Sequence, residues 1–275
     1  MRSAATLSGV AAAALCLYGC SAAAPSFKPA GPRVMSIGLC ADQYVLSLLP
    51  PERIASVTSL ARTGSVRTAA LAARVPANHQ LAEEVIAQAP DIVVADAFSN
   101  PVTRAMLTRL HYRVVELARA NDLAAIRAET VRIGAAIGAG SRSLALADQI
   151  DQALAHLLPL AKRPSVAAWD GSGRLPAKGS LYDAAVSAAG GHNIGRDWRG
   201  GSFGAEALLV ARPDYLLHDA HVLRTAGRES ELAGHPLVDR LYRHRQIIIS
   251  QEALVCGTPV TIDAVVELNR KLAGR

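Results

Sequence analysis

Aromatic side chains are scarce in this 275-residue chain: three Phe, two Trp and six Tyr make up 4% of it. So few flat rings leave little to stack on successive bases, and no polybasic run accompanies the formal charge of +6, so nucleic-acid binding is excluded. Lysine is nearly absent too, with four against 25 arginines, and the mild positive balance suits anionic ligands or lipid headgroups. Beyond the N-terminus no apolar run reaches the ~20 residues of a membrane-spanning helix. The mean hydropathy of +0.21 therefore reflects a buried core, in a chain long enough for one large or two ordinary domains. Nucleotide signatures are also missing: Gly171-Ser172-Gly173 lacks the third glycine of a dinucleotide fingerprint, and Lys178-Gly179-Ser180 has no phosphate loop before it.

What the N-terminus does have is the layout of an export signal: Arg2, an apolar stretch from Leu7 to Tyr18, then small residues. Leu17-Tyr18-Gly19-Cys20 resembles the bacterial lipobox, in which a small residue precedes the cysteine that becomes the lipid-modified N-terminus. Residues 1–20 are thus read as a lipoprotein signal peptide, Cys20 as the lipidation site, and residues 21–32, with three prolines, as a tether. Cleavage near Ala24, giving a soluble periplasmic protein, is the alternative. Either way Cys16 leaves with the signal, and the folded chain keeps Cys40 and Cys256. In an oxidising compartment an even pair favours a disulfide, with unpaired thiols or two thiolates at a ligand site as alternatives.

Strand and helix patterns alternate from Val34 to Leu117, give way to helix alone from Asn121 to about Leu158, and alternate again from Ser165. Such alternation builds parallel sheets with helices on their faces. It divides the chain into an N-terminal α/β lobe at 33–120, connecting helices at 121–163 and a C-terminal α/β lobe at 164–275. The two lobes share a repeat. Residues 82–97 align without gaps on residues 205–220, with six of sixteen positions identical at an offset of 123. Each copy holds an acidic helix start, an apolar helix, a Pro-Asp stop (Pro90-Asp91, Pro213-Asp214) and a buried strand ending in a polar loop. Two copies, rather than a solenoid of many, indicate two similar lobes. Loops at strand carboxyl ends form binding crevices in open α/β sheets, so two such lobes facing each other make a cleft.

The strand-loop Ser36-Ile37-Gly38-Leu39-Cys40, the helix-strand signature Leu81-Ala82-Glu83…Pro90-Asp91-Ile92-Val93, the segment Ser180-Leu181-Tyr182-Asp183…Gly191-His192-Asn193-Ile194 and the second Glu206…Pro213-Asp214 signature together resemble the iron-siderophore and vitamin B12 (cobalamin) family of substrate-binding proteins of ABC importers. The resemblance covers roughly Arg33 to Arg275. It implies two Rossmann-like lobes with parallel sheets, joined by a long backbone helix, for which the segment from Ser141 to Leu160 is the candidate, with a ligand cleft between the lobes. It also implies a monomeric, lipid-anchored binding protein that hands a metal chelate, an iron-siderophore or cobalamin, to permease subunits with their ATPase. Such a protein has no intrinsic cofactor and no enzymatic activity. In that family an acidic residue on each lobe docks on permease arginines, and Glu83 and Glu206 occupy the matching positions.

The cleft loops supply Arg62, Arg67, Arg104, Arg174 and Arg199, with Trp169, Tyr182, Trp198 and Phe203. Planar guanidinium donors match carboxylate or catecholate oxygens, and an aromatic face can cover a macrocycle. Two rival readings remain. His218 and His221, three apart, are weak candidates for direct metal or haem ligation. Gly200-Gly201-Ser202-Phe203-Gly204 meets the Gly-x-Ser-x-Gly pattern of an α/β hydrolase, but only a strand-turn-helix context would make it a nucleophile elbow.

Overall fold

The structure, a computed structural model, describes residues 30–219, 227, 231 and 233–274; the export signal, Cys20, most of the tether and His221 lie outside the described residues. The first sheet contains β1 (Val34–Ser36), β2 (Ile54–Thr58), β3 (Ala77–Asn78), β4 (Ile92–Ala95) and β5 (Val114–Glu116), all parallel in the order β3-β2-β1-β4-β5. The second contains β6 (Ser165–Ala168), β7 (His192–Asn193), β8 (Tyr215–Asp219) and β9 (Gln246–Ile249), also parallel, in the order β7-β6-β8-β9. In each sheet the order reverses beside the first strand, β1 or β6, which places a crevice at the strand carboxyl ends.

The strands read as continuous apolar runs because both faces are covered. Along β4, Ile92 and Val94 face one buried cluster with Val34, while Val93 and Ala95 face another with Met35. The second sheet repeats this, with Val166 and Leu217 on one side and Ala167 and Leu216 on the other.

The repeat is a structural unit. Its helices, α3 (Ala82–Gln88) and α8 (Ala205–Ala211), both end on a left-handed residue, Ala89 at φ 43° and Arg212 at φ 42°, just before Pro-Asp. Asp91 then accepts the backbone N–H of Arg33 at 2.7 Å, and Asp214 that of Ser165 at 2.7 Å. Each aspartate thus ties its strand to the start of the lobe's first strand. The Ser165 N–H and hydroxyl also hold the Asp214 carboxyl below the usual aspartate range.

The remaining helices of the first lobe are α1 (Leu39–Leu48), α2 (Val66–Ala72) and α4 (Pro101–Arg109). Between the lobes come α5 (Leu123–Ala136) and α6 (Gly140–Ala155), and the second lobe adds α7 (Leu181–Ala188), α9 (Pro236–Tyr242), α10 (Gln251–Val255) and α11 (Pro259–Leu272). The connection is a hairpin of two helices, and α6, the expected bridge, packs Leu146 on the first-lobe core and Leu154 on the second. Arg127 of α5 pairs with Asp151 of α6 at 2.7 Å, and near the turn a Cβ on Gly134 would lie 2.1 Å from the Cβ of Ser143, so only glycine allows this close approach. Ile133 and Ile137 join the first-lobe core, and Leu123 and Leu154 pack on the second. Helix α6 ends at Ala155, short of Leu160, and Leu158 instead donates its N–H to Asn269 Oδ1 at 2.8 Å and accepts from Asn269 Nδ2 at 3.0 Å. The buried Arg53 closes the other end of α5, donating to the carbonyls of Ile137 and Gly138 where the helix dipole favours a cation.

A second junction joins the lobes. Cys40, at the start of α1, is disulfide-bonded to Cys256, just after α10, at a sequence separation of 216 and with Cα atoms 5.1 Å apart. Around it the Tyr44 hydroxyl donates to the Gly257 carbonyl, Thr258 bonds Gln43, and the buried Glu252 accepts the Ser65 N–H at 2.6 Å, at the N-cap of α2. Among the described residues no helix is long and apolar enough to cross a membrane.

Candidate functional site

Every first-lobe residue of that junction follows a strand's carboxyl end, as do Glu252 and Cys256 in the second lobe. The two crevices therefore open toward each other beside the disulfide.

On the first lobe, Asp96 ends β4 and accepts the N–H groups of Cys40 (2.7 Å) and Ala41 (3.1 Å), fixing the start of α1. A Cβ on Gly38 would stand 2.3 Å from the Asp96 carboxylate, so this approach also demands glycine. Asp42, fully buried one turn on, accepts the Thr58 N–H at 2.9 Å and the Thr58 hydroxyl. Burial pushes its carboxyl up to about 7; hydrogen bonds from Thr58 and Ser36 oppose the shift and Asp96 adds to it. A folded-state value raised above the unfolded one favours the folded state fully below pH ~4, a contribution lost as pH rises to about 7. Asp42→Asn keeps an acceptor for Thr58 and removes the charge. Urea unfolding between pH 4.5 and 7.5 is expected to show wild-type stability falling across this interval and the variant's slope flattened; parallel curves would contradict the assignment.

Phe98, on the loop after β4, is 63% exposed and was not among the residues singled out from the sequence. The signal for it was present: a lone ring at a strand's carboxyl end in a chain poor in rings.

The arginines separate into two groups. Arg62 donates to the Val75 carbonyl at 3.0 Å, Arg67 pairs with Asp263 across the lobes at 3.2 Å, and Arg104 pairs with Glu116 at 3.1 Å. These three are engaged within the protein rather than gathered in a cleft. Arg174 and Arg199 are exposed on carboxyl-edge loops, and their guanidinium groups have no partner among the described residues.

The rings form a short stack. Phe203 meets Trp169 edge-on at 6.0 Å and Trp198 at 5.1 Å. Phe203 and Trp169 are buried in the core of the second lobe, so of the three only the half-buried Trp198, held by its Nε1 to the Gly201 carbonyl, reaches the surface.

Tyr182 opens α7 and lines a cavity of 240 Å³ at the carboxyl ends of β6, β8 and β9, together with Asp170, Asp219, Leu217, Ile249 and Val255. Its hydroxyl is buried without a hydrogen-bond partner. Burial, with Asp170 nearby, pushes that phenol well above its ordinary value, so it is neutral. His218 is buried in β8, and burial lowers its imidazole to about 4, leaving it uncharged. The described residues contain no group of three His, Cys, Asp or Glu able to hold a metal ion. Ser202 lies on a loop with its hydroxyl toward the Gly173 carbonyl, and no strand leads into it, so the elbow geometry is absent.

Glu83 and Glu206 stand in the first turns of α3 and α8, both exposed, at repeat-equivalent positions on different lobes. One turn on, Ile86 and Leu209 are also exposed, at 45% and 44%.

No family model and no curated protein matches the sequence. Solved structures do match. The periplasmic heme-binding protein RhuT from Roseiflexus sp. RS-1, in apo form, superposes with a TM-score of 0.73 at 21% identity, covering 89% of this chain and 98% of that one. The periplasmic heme-binding protein HutB of Vibrio cholerae gives 0.70 at 17% identity, covering 88% and 97%. The periplasmic vitamin B12-binding protein BtuF of Vibrio cholerae gives 0.62 at 18% identity, covering 88% and 97%. At these identities the shared property is the fold, and in fold this chain is a two-lobed α/β protein like these periplasmic binding proteins.

Proposed function

We propose that this protein is the substrate-binding component of an ABC importer, capturing a metal chelate between its lobes in the periplasm and delivering it to a permease whose ATPase partner hydrolyses ATP. What carries the reading is the pairing of Glu83 with Glu206: two exposed carboxylates at one repeat position, one per lobe of a cleft-forming fold. Two separated charges fix the orientation of a partner as well as strengthening its contact. Anchoring through Cys20 belongs to the same proposal. No covalent chemistry is assigned to the chain.

For the ligand, an iron-siderophore or cobalamin is the first reading. Haem is the second, favoured by the fold shared with two heme-binding proteins. The unengaged Arg174 and Arg199, with the exposed edge of Trp198, are the side chains proposed to meet acidic groups and the flat face of such a molecule. Titration of Trp fluorescence with ferric siderophores, cobalamin and haemin is expected to give saturable quenching with one class. Arg174→Ala combined with Arg199→Ala should weaken that binding at least tenfold. Silence with all three classes would count against the reading.

A further inference from the structure

The parallel strands of the second sheet bring basic residues to one edge. Lys162 and Arg163 lead into β6, Arg212 into β8, and Arg243 and Arg245 into β9, and all are exposed. These three strands are neighbours at a spacing of about 4.8 Å, so their lead-ins crowd within roughly 10 Å. Arg270 and Lys271, also exposed, close α11 on the same side, where Leu272 and Ala273 line a groove with Lys162. None of these cations is ion-paired with a carboxylate among the described residues. Arg163 donates instead to the Gly191 carbonyl at 3.1 Å, Arg212 to that of Leu209 at 3.2 Å and Arg245 to that of Leu241 at 2.7 Å, so each guanidinium is oriented while its charge stays uncancelled. Asp214 is the one carboxylate in these lead-ins, and the Ser165 N–H and hydroxyl engage it. Beside the charges lies an apolar groove of 520 Å³, walled by Leu158, Leu160, Tyr215 and Leu272 together with Lys162.

We infer that this amino edge of the second lobe rests on an anionic lipid surface, with its cations among the headgroups and the groove beside Leu160 against the upper acyl chains. Cations clustered beside exposed apolar surface suit a bilayer better than a small soluble anion, which would use the charges and leave the groove idle. The first sheet is also entered at a strand's amino end, by Arg33 before β1, so a tether over residues 21–32 would meet the fold at that kind of edge and not at the cleft. In this attitude the carboxyl-edge cleft faces away from the membrane and is open to capture, while delivery to a permease requires release from the lipid. Headgroup attraction falls off within a Debye length and is weakened by salt, so it is loose enough for that release. The inference goes beyond the proposed function; the tether argument rests on that reading, and the charge argument stands without it.

The test sediments the chain from Ser21 onward, which keeps every described element of the fold and carries no lipid, with vesicles of phosphatidylcholine alone or with about one-third phosphatidylglycerol. Partitioning is expected to be at least tenfold stronger on the phosphatidylglycerol vesicles in dilute buffer, and to be lost at ~0.5 M salt. Lys162→Gln with Arg163→Gln and Arg243→Gln should weaken it about 100-fold, at about fivefold per cation. The matched set Arg119→Gln, Arg174→Gln and Arg199→Gln removes the same charge from carboxyl-edge loops and should change it less than twofold. Thermal unfolding checks that both variants fold. If the first does not, Arg270→Gln with Lys271→Gln takes its place, with a loss of about 25-fold expected. Equal partitioning on the two vesicles, indifference to salt, or equal loss in the two matched sets would each overturn the inference. So would tighter retention on polyglutamate than on vesicles, which would assign the edge to an acidic protein instead. Chelate titrations run in parallel separate the two claims: a chelate bound without any preference for anionic vesicles sinks the membrane assignment alone, and lipid binding with silence toward every chelate sinks the importer reading alone.

Discussion

Replacing Cys40 and Cys256 together with serine is expected to lower the unfolding temperature by about 10–20 °C. The bond closes a loop of 216 residues, and the chain-entropy treatment of so long a loop gives about 5 kcal/mol. At ~2–4 °C per kcal/mol for a domain of this size, that becomes the stated shift. The disulfide does not act alone, because the Glu252–Ser65, Tyr44–Gly257 and Gln43–Thr258 bonds surround it. The serine variant should therefore still fold. A scan of the oxidised wild type, the reduced wild type and the variant checks this, with the last two expected to coincide. An unchanged unfolding temperature would show that the two cysteines are not joined in the mature protein.

Reversing both charges proposed for docking, Glu83→Lys with Glu206→Lys, is expected to abolish uptake and leave ligand affinity intact. Both carboxylates are exposed, so the change leaves the core undisturbed. On the proposed docking, each basic side chain would then face a permease arginine, which turns attraction into repulsion at both ends of the contact. Single reversals should give intermediate uptake, because the other lobe can still engage. Transport assays beside equilibrium binding read the two quantities separately, and normal uptake by the double variant would remove the docking role. Loss of binding together with transport would instead point to a structural part for these helices.

The features legible in the sequence were those specified locally. Strands buried on both faces show as apolar runs, and the Pro-Asp repeat shows because each aspartate meets a fixed structural need at the start of its lobe's first strand. Asp122 caps α5, accepting the Ala125 N–H at 2.7 Å. Helices α2 and α10 are too short to show a helical period, and α2 starts where a carboxylate from the other lobe, Glu252, receives the Ser65 N–H. Strands β3 and β7 have two residues each, too few to display any alternation. Site chemistry was harder for a related reason. Sequence places an arginine on a loop but not the direction of its guanidinium, and Arg67 turns to Asp263, 196 residues away.

The hairpin of α5 and α6 and the disulfide are two separate attachments between the same two bodies. Two pins define a line, and a rigid body held at two pins keeps a single freedom, rotation about that line. The lobes cannot slide past or twist independently of each other without breaking the sulfur bridge or unpacking the hairpin. A ligand of the proposed kind would then enter by a swing about that line, which parts the carboxyl-edge loop bearing Phe98 from those bearing Arg174 and Arg199. Reducing one bond would release a pin and convert a stiff clamp into a loose one.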